Sequence, residues 1–480
     1  MNKPLRYQQV AHLIESQIRT GTLRAGMRAP SLRSLAGTAG VSVSTVSQAY
    51  QQLEQRGLLM ARPRSGYFVA TPLPATAAVP QSVVVRGRKA RSVTGEAMDA
   101  LLESMHRSDV LALGSAATRF SGRLNAVLNR LTRQILREEP QLPNRLSPPQ
   151  GEERLRLAVA HRLSRYGSPV DPDSVVVTAG TMEAIALSLG VLCREGDTVL
   201  VESPTYFGVL QVIEYLHLKV LEVPNRPGAG IDIPAVTDLL AAQTIQAAIL
   251  MPNFNNPTGA LTSEPDKVRL VDLFAQAGVP VIEDDIYGDL HLGEDRPRPL
   301  ASLRARESGS AGIVTCGSVS KTIAMGYRIG WAVSAELSPD IARAKFCTSL
   351  ACPALLQRVL ARFLETGGYD RYLRQLREQL IVDRDRYRDA IIRHFPEGTR
   401  VSNPEGGVVL WVQLPETVDS MDLFRHALAE KIGIAPGLIF SAKGDYRNYV
   451  RLTMGAGWDG HIEDALHRLG KLLVSRKPER

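Results

Sequence analysis

Gly317-Ser318-Val319-Ser320-Lys321-Thr322, followed by Gly326-Tyr327-Arg328-Ile329-Gly330-Trp331, is the stretch on which the reading of this chain turns. The apolar run Ile313-Val314-Thr315 leads into it with the composition of a buried strand. Past the strand come small hydroxyl residues, one lysine, and an arginine seven positions after it. A lysine at a strand end among small side chains is suited to forming a Schiff base with an aldehyde. Ser318, Ser320 and Arg328 are suited to holding a phosphate. An aldehyde and a phosphate on one molecule describe pyridoxal 5′-phosphate (PLP). The competing reading is a surface lysine in a Ser/Gly loop, so the ends of the other strands decide.

From about residue 150 those strands alternate with helices. Helical spacing covers 151–166, 181–193 and 206–215, and apolar strands are expected at 174–177, 198–201, 247–251, 279–282 and 313–315. Continuous apolar strands alternating with helices predict a mostly parallel sheet covered on both faces, with ligands at the carboxyl ends of its strands. Gly180-Thr181-Met182 opens a helix after one strand, where free N–H groups suit a phosphate. Tyr206 follows the next and can stack on a planar ring or belong to the core. Asn256, held extended before Pro257, can reach a phenolic oxygen. Asp284 and Tyr287 close another strand. An aspartate facing a pyridine nitrogen would keep it protonated and make the ring an electron sink, although a capping or salt-bridged carboxylate fits Asp284 as well.

Four such ends together with Lys321 resemble fold type I PLP enzymes of the aminotransferase class I/II group over residues 106–480. The resemblance implies that Lys321 bonds the aldehyde. It puts Gly180, Thr181, Met182, Ser318, Ser320 and Arg328 on the phosphate, Tyr206 on the ring face, Asn256 and Tyr287 on the ring oxygen, and Asp284 on the ring nitrogen. Tyr449-Val450-Arg451-Leu452-Thr453 is similar to the family segment whose arginine binds a substrate α-carboxylate, a bidentate role for Arg451. Two departures stand out. Leu146 occupies the place of a tyrosine that reaches the partner subunit's phosphate, and Gly114-Ser115-Ala116-Ala117-Thr118 matches the substrate-side glycine segment only loosely.

The chain of 480 residues carries a net charge of +8, concentrated at one end: +7 in residues 1–70, +2 in 71–100 and −1 in the remainder. A basic head on a neutral body suggests a polyanion partner for the head alone. Helices are expected from Tyr7 to about Gly21, over 32–39 with Ser31 as cap, and over 43–56 with Ser42 as cap. Short strands at 58–60 and 67–69 should flank a basic turn carrying Arg62 and Arg64. Two helices joined by a tight turn and followed by a basic hairpin form a winged helix-turn-helix. A basic protein-interaction module is the alternative. Arg33 suits the phosphate backbone, and the short polar side chains of Ser44 and Thr45 suit base edges and phosphates.

The head resembles the GntR family of bacterial regulators, through Pro30-Ser31-Leu32-Arg33-Ser34-Leu35-Ala36, Val41-Ser42, Thr45-Val46 and Ala49-Tyr50. That resemblance implies DNA contacts at Ser31, Arg33, Ser44 and Thr45. Residues 71–105, with Pro72, Pro74, Pro80 and the cluster Arg86-Gly87-Arg88-Lys89-Ala90-Arg91, read as an extended, partly flexible tether. The expected organisation is therefore multidomain α/β. A winged helix-turn-helix (1–70) and a linker (71–105) precede an aminotransferase-like domain (106–480), whose large part spans about 145–345 and whose smaller α+β part spans 346–480 with 106–144.

This fusion resembles the MocR group of transcriptional regulators. That resemblance implies double-stranded operator DNA as partner, PLP with an amino acid or amine as signal, and a head-to-tail, domain-swapped homodimer. A working aminotransferase with an accessory head is the alternative. Four cysteines without paired or zinc-like spacing read as reduced thiols of a cytoplasmic protein, no metal site is expected, and no apolar run is long enough for a membrane span.

Overall fold

The computed structural model describes residues 6–19, 23, 27–55, 58–62, 66–69, 78–81, 101, 103, 107–167, 169–304 and 312–474. The chain divides into two compact units, residues 1–77 with 381–389 and residues 78–380 with 390–480. Most of the expected tether, and the whole of Arg64, lie outside the described residues.

The head has helices Arg6–Arg19, Leu32–Ala39 and Val43–Gln55, then strands β1 (Leu59–Arg62) and β2 (Gly66–Val69). Val10, Ile14, Leu35, Val46, Tyr50 and Leu53 close its core. Ser31 accepts from the Ser34 N–H (3.1 Å) and Ser42 from the Thr45 N–H (3.2 Å), so both expected N-caps form. Gly40, at φ 62°, ends the middle helix in the left-handed conformation that glycine tolerates. The antiparallel register runs from Leu59↔Val69 to Arg62↔Gly66. Ala61 and Arg62 therefore lie in β1 and not in the turn, and residues 63–65 lie outside the described residues.

The second unit is built on an eight-stranded sheet of order β4-β11-β10-β9-β8-β5-β6-β7. These strands are β4 (Val175–Thr178), β5 (Thr198–Ser203), β6 (Lys219–Arg226), β7 (Gly230–Ile231), β8 (Ala247–Leu250), β9 (Val281–Asp284), β10 (Ile313–Ser318) and β11 (Gly330–Val333). The five strands from β10 through β6 pair in parallel, while β11 runs antiparallel to both neighbours and β7 antiparallel to β6. Apolar clusters cover the sheet on both sides, one around Leu155, Val159, Val177 and Leu360, another around Ile185, Leu189, Val199 and Val314. This is the mostly parallel α/β architecture that the alternation of apolar runs and helices predicts.

A smaller antiparallel sheet follows, of order β12-β13-β16-β15, from β12 (Arg400–Val401), β13 (Val409–Gln413), β15 (Ala435–Pro436) and β16 (Tyr449–Thr453). Strand β3 (Leu111–Ala112) pairs with β14 (Ile432–Gly433), bringing the segment before Gly114 to this smaller part. No helix among the described residues is long and apolar enough to cross a membrane, and all four cysteines are free.

Candidate cofactor site

Sequence reading put Ser318 after its strand; β10 runs through it, because Ser318 pairs with Gly330 across the antiparallel β11. The chain then turns through Lys321. Its Nζ donates to the Ala116 carbonyl (2.6 Å), and Thr118 Oγ1 donates to the Lys321 carbonyl (2.8 Å). Burial, reinforced by Arg451 and Arg328 and opposed by Asp284, lowers the Lys321 amine to about 8.

Beside it lies a cradle. Ser318 Oγ donates to the Ile329 carbonyl (2.8 Å) and lies 2.9 Å from Ser320 Oγ. Arg328 donates to Ser320 Oγ (3.2 Å) and to the Ala179 carbonyl (2.8 Å). Arg328 itself sits at φ 49°, a conformation costly for a non-glycine residue. Gly180 (φ 95°) precedes the helix Thr181–Leu192. A Cβ there would stand 2.6 Å from the Arg328 guanidinium, so only glycine leaves that guanidinium in place. Thr181 Oγ1, at the helix N-terminus, is buried and has no partner among the described residues. Met182 comes close to Gly208, against which the Tyr206 ring packs.

Asp284 ends β9. Its carboxyl accepts from the Ile286 N–H (3.1 Å), and burial, with Asp285 beside it, raises it to about 7. Tyr287 is fully buried, and its hydroxyl, without a partner among the described residues, is pushed well up by burial. Asn256, joined to Pro257 by a cis bond, accepts from Arg451 through Oδ1 (3.0 Å). Arg451 also donates to the Gly114 carbonyl, while its Nε is buried without a partner among the described residues. Burial lowers this guanidinium, and Tyr287 and Tyr206 are the groups that oppose the shift.

The structure therefore brings Lys321, Asp284, Asn256, Tyr206, Tyr287 and Arg451 to one pocket next to the cradle of Gly180, Thr181, Ser318, Ser320 and Arg328. It also adds groups that sequence reasoning passed over. The loosely matching segment Gly114–Thr118 supplies main-chain carbonyls to both Arg451 and Lys321, a contribution without any side-chain signature. Glu202, at the end of β5, accepts from the Met251 N–H (2.9 Å) and from Asn255, and burial raises it to about 7 with Asp284 nearby. Behind the site, Asp289 accepts from Arg162 (2.9 Å), Arg296 (3.0 Å) and Tyr369 (2.9 Å), which hold it far below the usual carboxylate range. The Tyr369 oxygen also lies 2.9 Å from the hydroxyl of Thr322, next to the lysine, and accepts from it. Leu146 is 67% exposed.

The residues present fit PLP on one observation. Two buried hydroxyls, of Thr181 and Tyr287, and the Arg451 Nε have no partner among the described residues, a condition costly unless a ligand completes it.

In the head, Arg33 and Ser44 are exposed at the starts of their helices, and the Ser42 hydroxyl lies 2.8 Å from those of both Ser44 and Thr45. Arg28, unremarked in the sequence, bridges to Phe68 and lays its guanidinium along Gly66 of the wing. The side chain of Arg62 lies outside the described residues.

The profile of the aminotransferase class I and II family matches residues 108–469, and that of the bacterial regulatory proteins of the gntR family matches residues 6–69. The uncharacterized HTH-type transcriptional regulator YdcR of Escherichia coli is 34% identical over 98% of this chain and 99% of its own. The 2-aminoadipate transaminase of Thermus thermophilus is 33% identical over 71% of this chain and 84% of its own. The crystal structure of LysN, an alpha-aminoadipate aminotransferase from Thermus thermophilus complexed with N-(5′-phosphopyridoxyl)-L-leucine, superposes with a TM-score of 0.73. It is 30% identical and covers 80% of this chain and 96% of that one. With a GntR-type head on an aminotransferase-type body along its whole length, the chain belongs to the aminotransferase class I and II family, in the two-part form of the MocR-type transcriptional regulators.

Proposed function

We propose that this chain is a DNA-binding transcriptional regulator that holds PLP at Lys321 and senses PLP or an amino compound there. The observation that carries the reading is the set of unsatisfied buried groups, Thr181 Oγ1, Tyr287 Oη and Arg451 Nε, around a lysine whose amine is lowered to about 8. When bound, PLP supplies an aldehyde that condenses with amines and a ring that withdraws electrons. Lys321, whose amine burial lowers to about 8, would be the group that meets that aldehyde. Thr181, the helix N-terminus behind it, Ser318, Ser320 and Arg328 hold the phosphate. Asp284 takes the ring nitrogen, Asn256 and Tyr287 the ring oxygen, and Tyr206 the ring face. Arg451 exchanges its bonds to Asn256 and Gly114 for an incoming carboxylate. The leucine adduct in the LysN complex supports an amino acid as the second ligand.

In the head, Ser31, Arg33, Ser42, Ser44 and Thr45, with Arg62 and Arg64 on the wing, meet operator DNA. The protein acts as a cytoplasmic homodimer with heads exchanged. Leu146 and Phe346, large apolar side chains that are 67% and 58% exposed, suit cover by a second subunit. A second reading, a working aminotransferase, draws on the likeness to the 2-aminoadipate transaminase.

Borohydride reduction of the PLP-loaded protein, followed by peptide mass mapping, tests the first reading. The adduct should fall on Lys321 and vanish in Lys321→Ala. An adduct that persists on another lysine refutes the assignment. Rapid transamination, with operator binding indifferent to every ligand, would favour the enzyme.

A further inference from the structure

Between the head and β3, one described stretch, residues 78–81, lies against the ligand-binding unit. The Gln81 N–H donates to Gln413 Oε1 (2.8 Å), the Gln81 carbonyl accepts from Tyr449 Oη (2.9 Å), and Pro80 is buried. The Val79 side chain reaches the turn between β6 and β7 at Gly228. This short piece of chain therefore touches the smaller sheet and an edge hairpin of the large one.

Its two anchors are not scattered. Gln413 and Tyr449 are cross-strand partners in β13 and β16, and the next pair on the same face is Trp411 and Arg451. The Tyr449 ring stacks on Trp411 (5.3 Å, 25°), Trp411 meets Phe440 edge-on (5.4 Å), and the Arg451 guanidinium lies 5.0 Å from the Phe440 ring. Tyr446 packs edge-on against Tyr449 (5.4 Å), and its hydroxyl lies 3.4 Å from Ser203, at the strand end leading to Tyr206. A contiguous aromatic cluster thus joins the candidate carboxylate site to the point where the chain leaves the unit.

We propose that residues 78–81 are a latch, and that occupancy of Arg451 acts on it through Phe440, Trp411 and Tyr449. The proposal rests on the reading of Arg451 as a carboxylate site. A carboxylate there replaces the bonds that Arg451 makes to Asn256 and Gly114, and the guanidinium shifts against Phe440. With the latch closed, the chain from the last wing residue, Val69, is held at Pro80. With it open, the next buried residue among those described is Leu101. On the sequence reading of residues 71–105 as a partly flexible tether, opening would give the head roughly three times as much leash and dilute it at its half-site by about fivefold in a dimer whose other head is already bound.

The test uses the full-length, PLP-loaded protein and follows hydrogen exchange at the Gln81 amide, operator affinity at fixed salt and the visible absorbance of bound PLP. The Gln81 amide should be protected. Tyr449→Phe with Gln413→Ala should speed its exchange at least tenfold and weaken operator binding about fivefold, with absorbance unchanged. Gln81→Pro, which removes the donor without touching the aromatic cluster, should weaken operator binding equally. A saturating amino acid that changes the absorbance should also change Gln81 exchange at least threefold in the wild type, and not in Arg451→Ala. An unprotected Gln81 amide, or unaltered operator affinity in both latch variants, overturns the latch. A spectral response without any change at Gln81 overturns the coupling. Absence of PLP absorbance in the wild type overturns the cofactor reading instead, and Gln81 protection then still decides on the latch.

Discussion

In the head, the hydroxyls of Ser31 and Ser42 are engaged as helix caps, and Ser42 also bonds to Ser44 or Thr45. Around Lys321, by contrast, Thr181 and Tyr287 keep buried hydroxyls with no partner among the described residues, and Asp284 and Glu202 are buried carboxyls raised to about 7. One region carries its candidate contacts on a surface already satisfied by its own fold, and relies on charge. The other withholds partners from groups that water cannot reach, so its fold is incomplete without a ligand. A polyanion can be met by the first arrangement with little rearrangement. Selective capture of a small molecule needs the second.

The largest effect separating the two should come from salt. Operator affinity of the full chain should fall by about 10³-fold or more between 50 and 200 mM salt, while PLP affinity changes little. Arg33→Ala should weaken binding to every DNA sequence alike and reduce the log–log salt slope by about 1. A PLP affinity that tracks salt as steeply would erase the distinction.

A smaller effect is expected with pH. The folded-state pKa values of Asp284 and Glu202 lie above their unfolded values, so between about pH 4 and 7 the folded protein binds the more protons. The ligand-free protein should therefore lose stability as pH rises through that window, by at most about 1.4 kcal/mol per pH unit for each group. Thermal melts should show the loss, Glu202→Gln should flatten it, and bound PLP should flatten it further by giving Asp284 a cation. Ligand-free stability that rises across the window would contradict the burial of these carboxyls.

The finest comparison pits one hydroxyl against another. Ser31→Ala removes a cap and should cost the head about 1 kcal/mol. Tyr287→Phe removes an unsatisfied group and should leave the ligand-free protein as stable as before or slightly more so, while weakening PLP binding by about tenfold. Calorimetry with and without PLP distinguishes them. Equal destabilisation by both would mean that Tyr287 has a protein partner after all.

Much of this was legible because each apolar run in the parallel sheet ends in the candidate site residues, and chain order alone brings such ends together. What escaped has physical causes. Strand β6 contains Glu222 and Pro224 and reads as interrupted. It forms because Glu222 finds partners far away in sequence, Ser203 (3.1 Å) and the Ala442 N–H (3.0 Å). Glu202 looked like an ordinary strand-end acid, since its partners come from the next strand end. The Gly114–Thr118 segment acts through its backbone, for which sequence carries no mark. Arg28 reaches the wing only through a long-range bridge to Phe68.

The spread of the pocket along the chain, from Gly114 to Arg451, sets a schedule for synthesis. The head's contacts close within the first seventy or so residues, apart from those it makes with 381–389. Arg451 leaves the ribosome about 380 residues later, some 20–80 s at ordinary elongation rates. Each new molecule thus has its helix-turn-helix before Arg451 is made, and nascent chains pass through an interval in which the head is built and the candidate pocket is not.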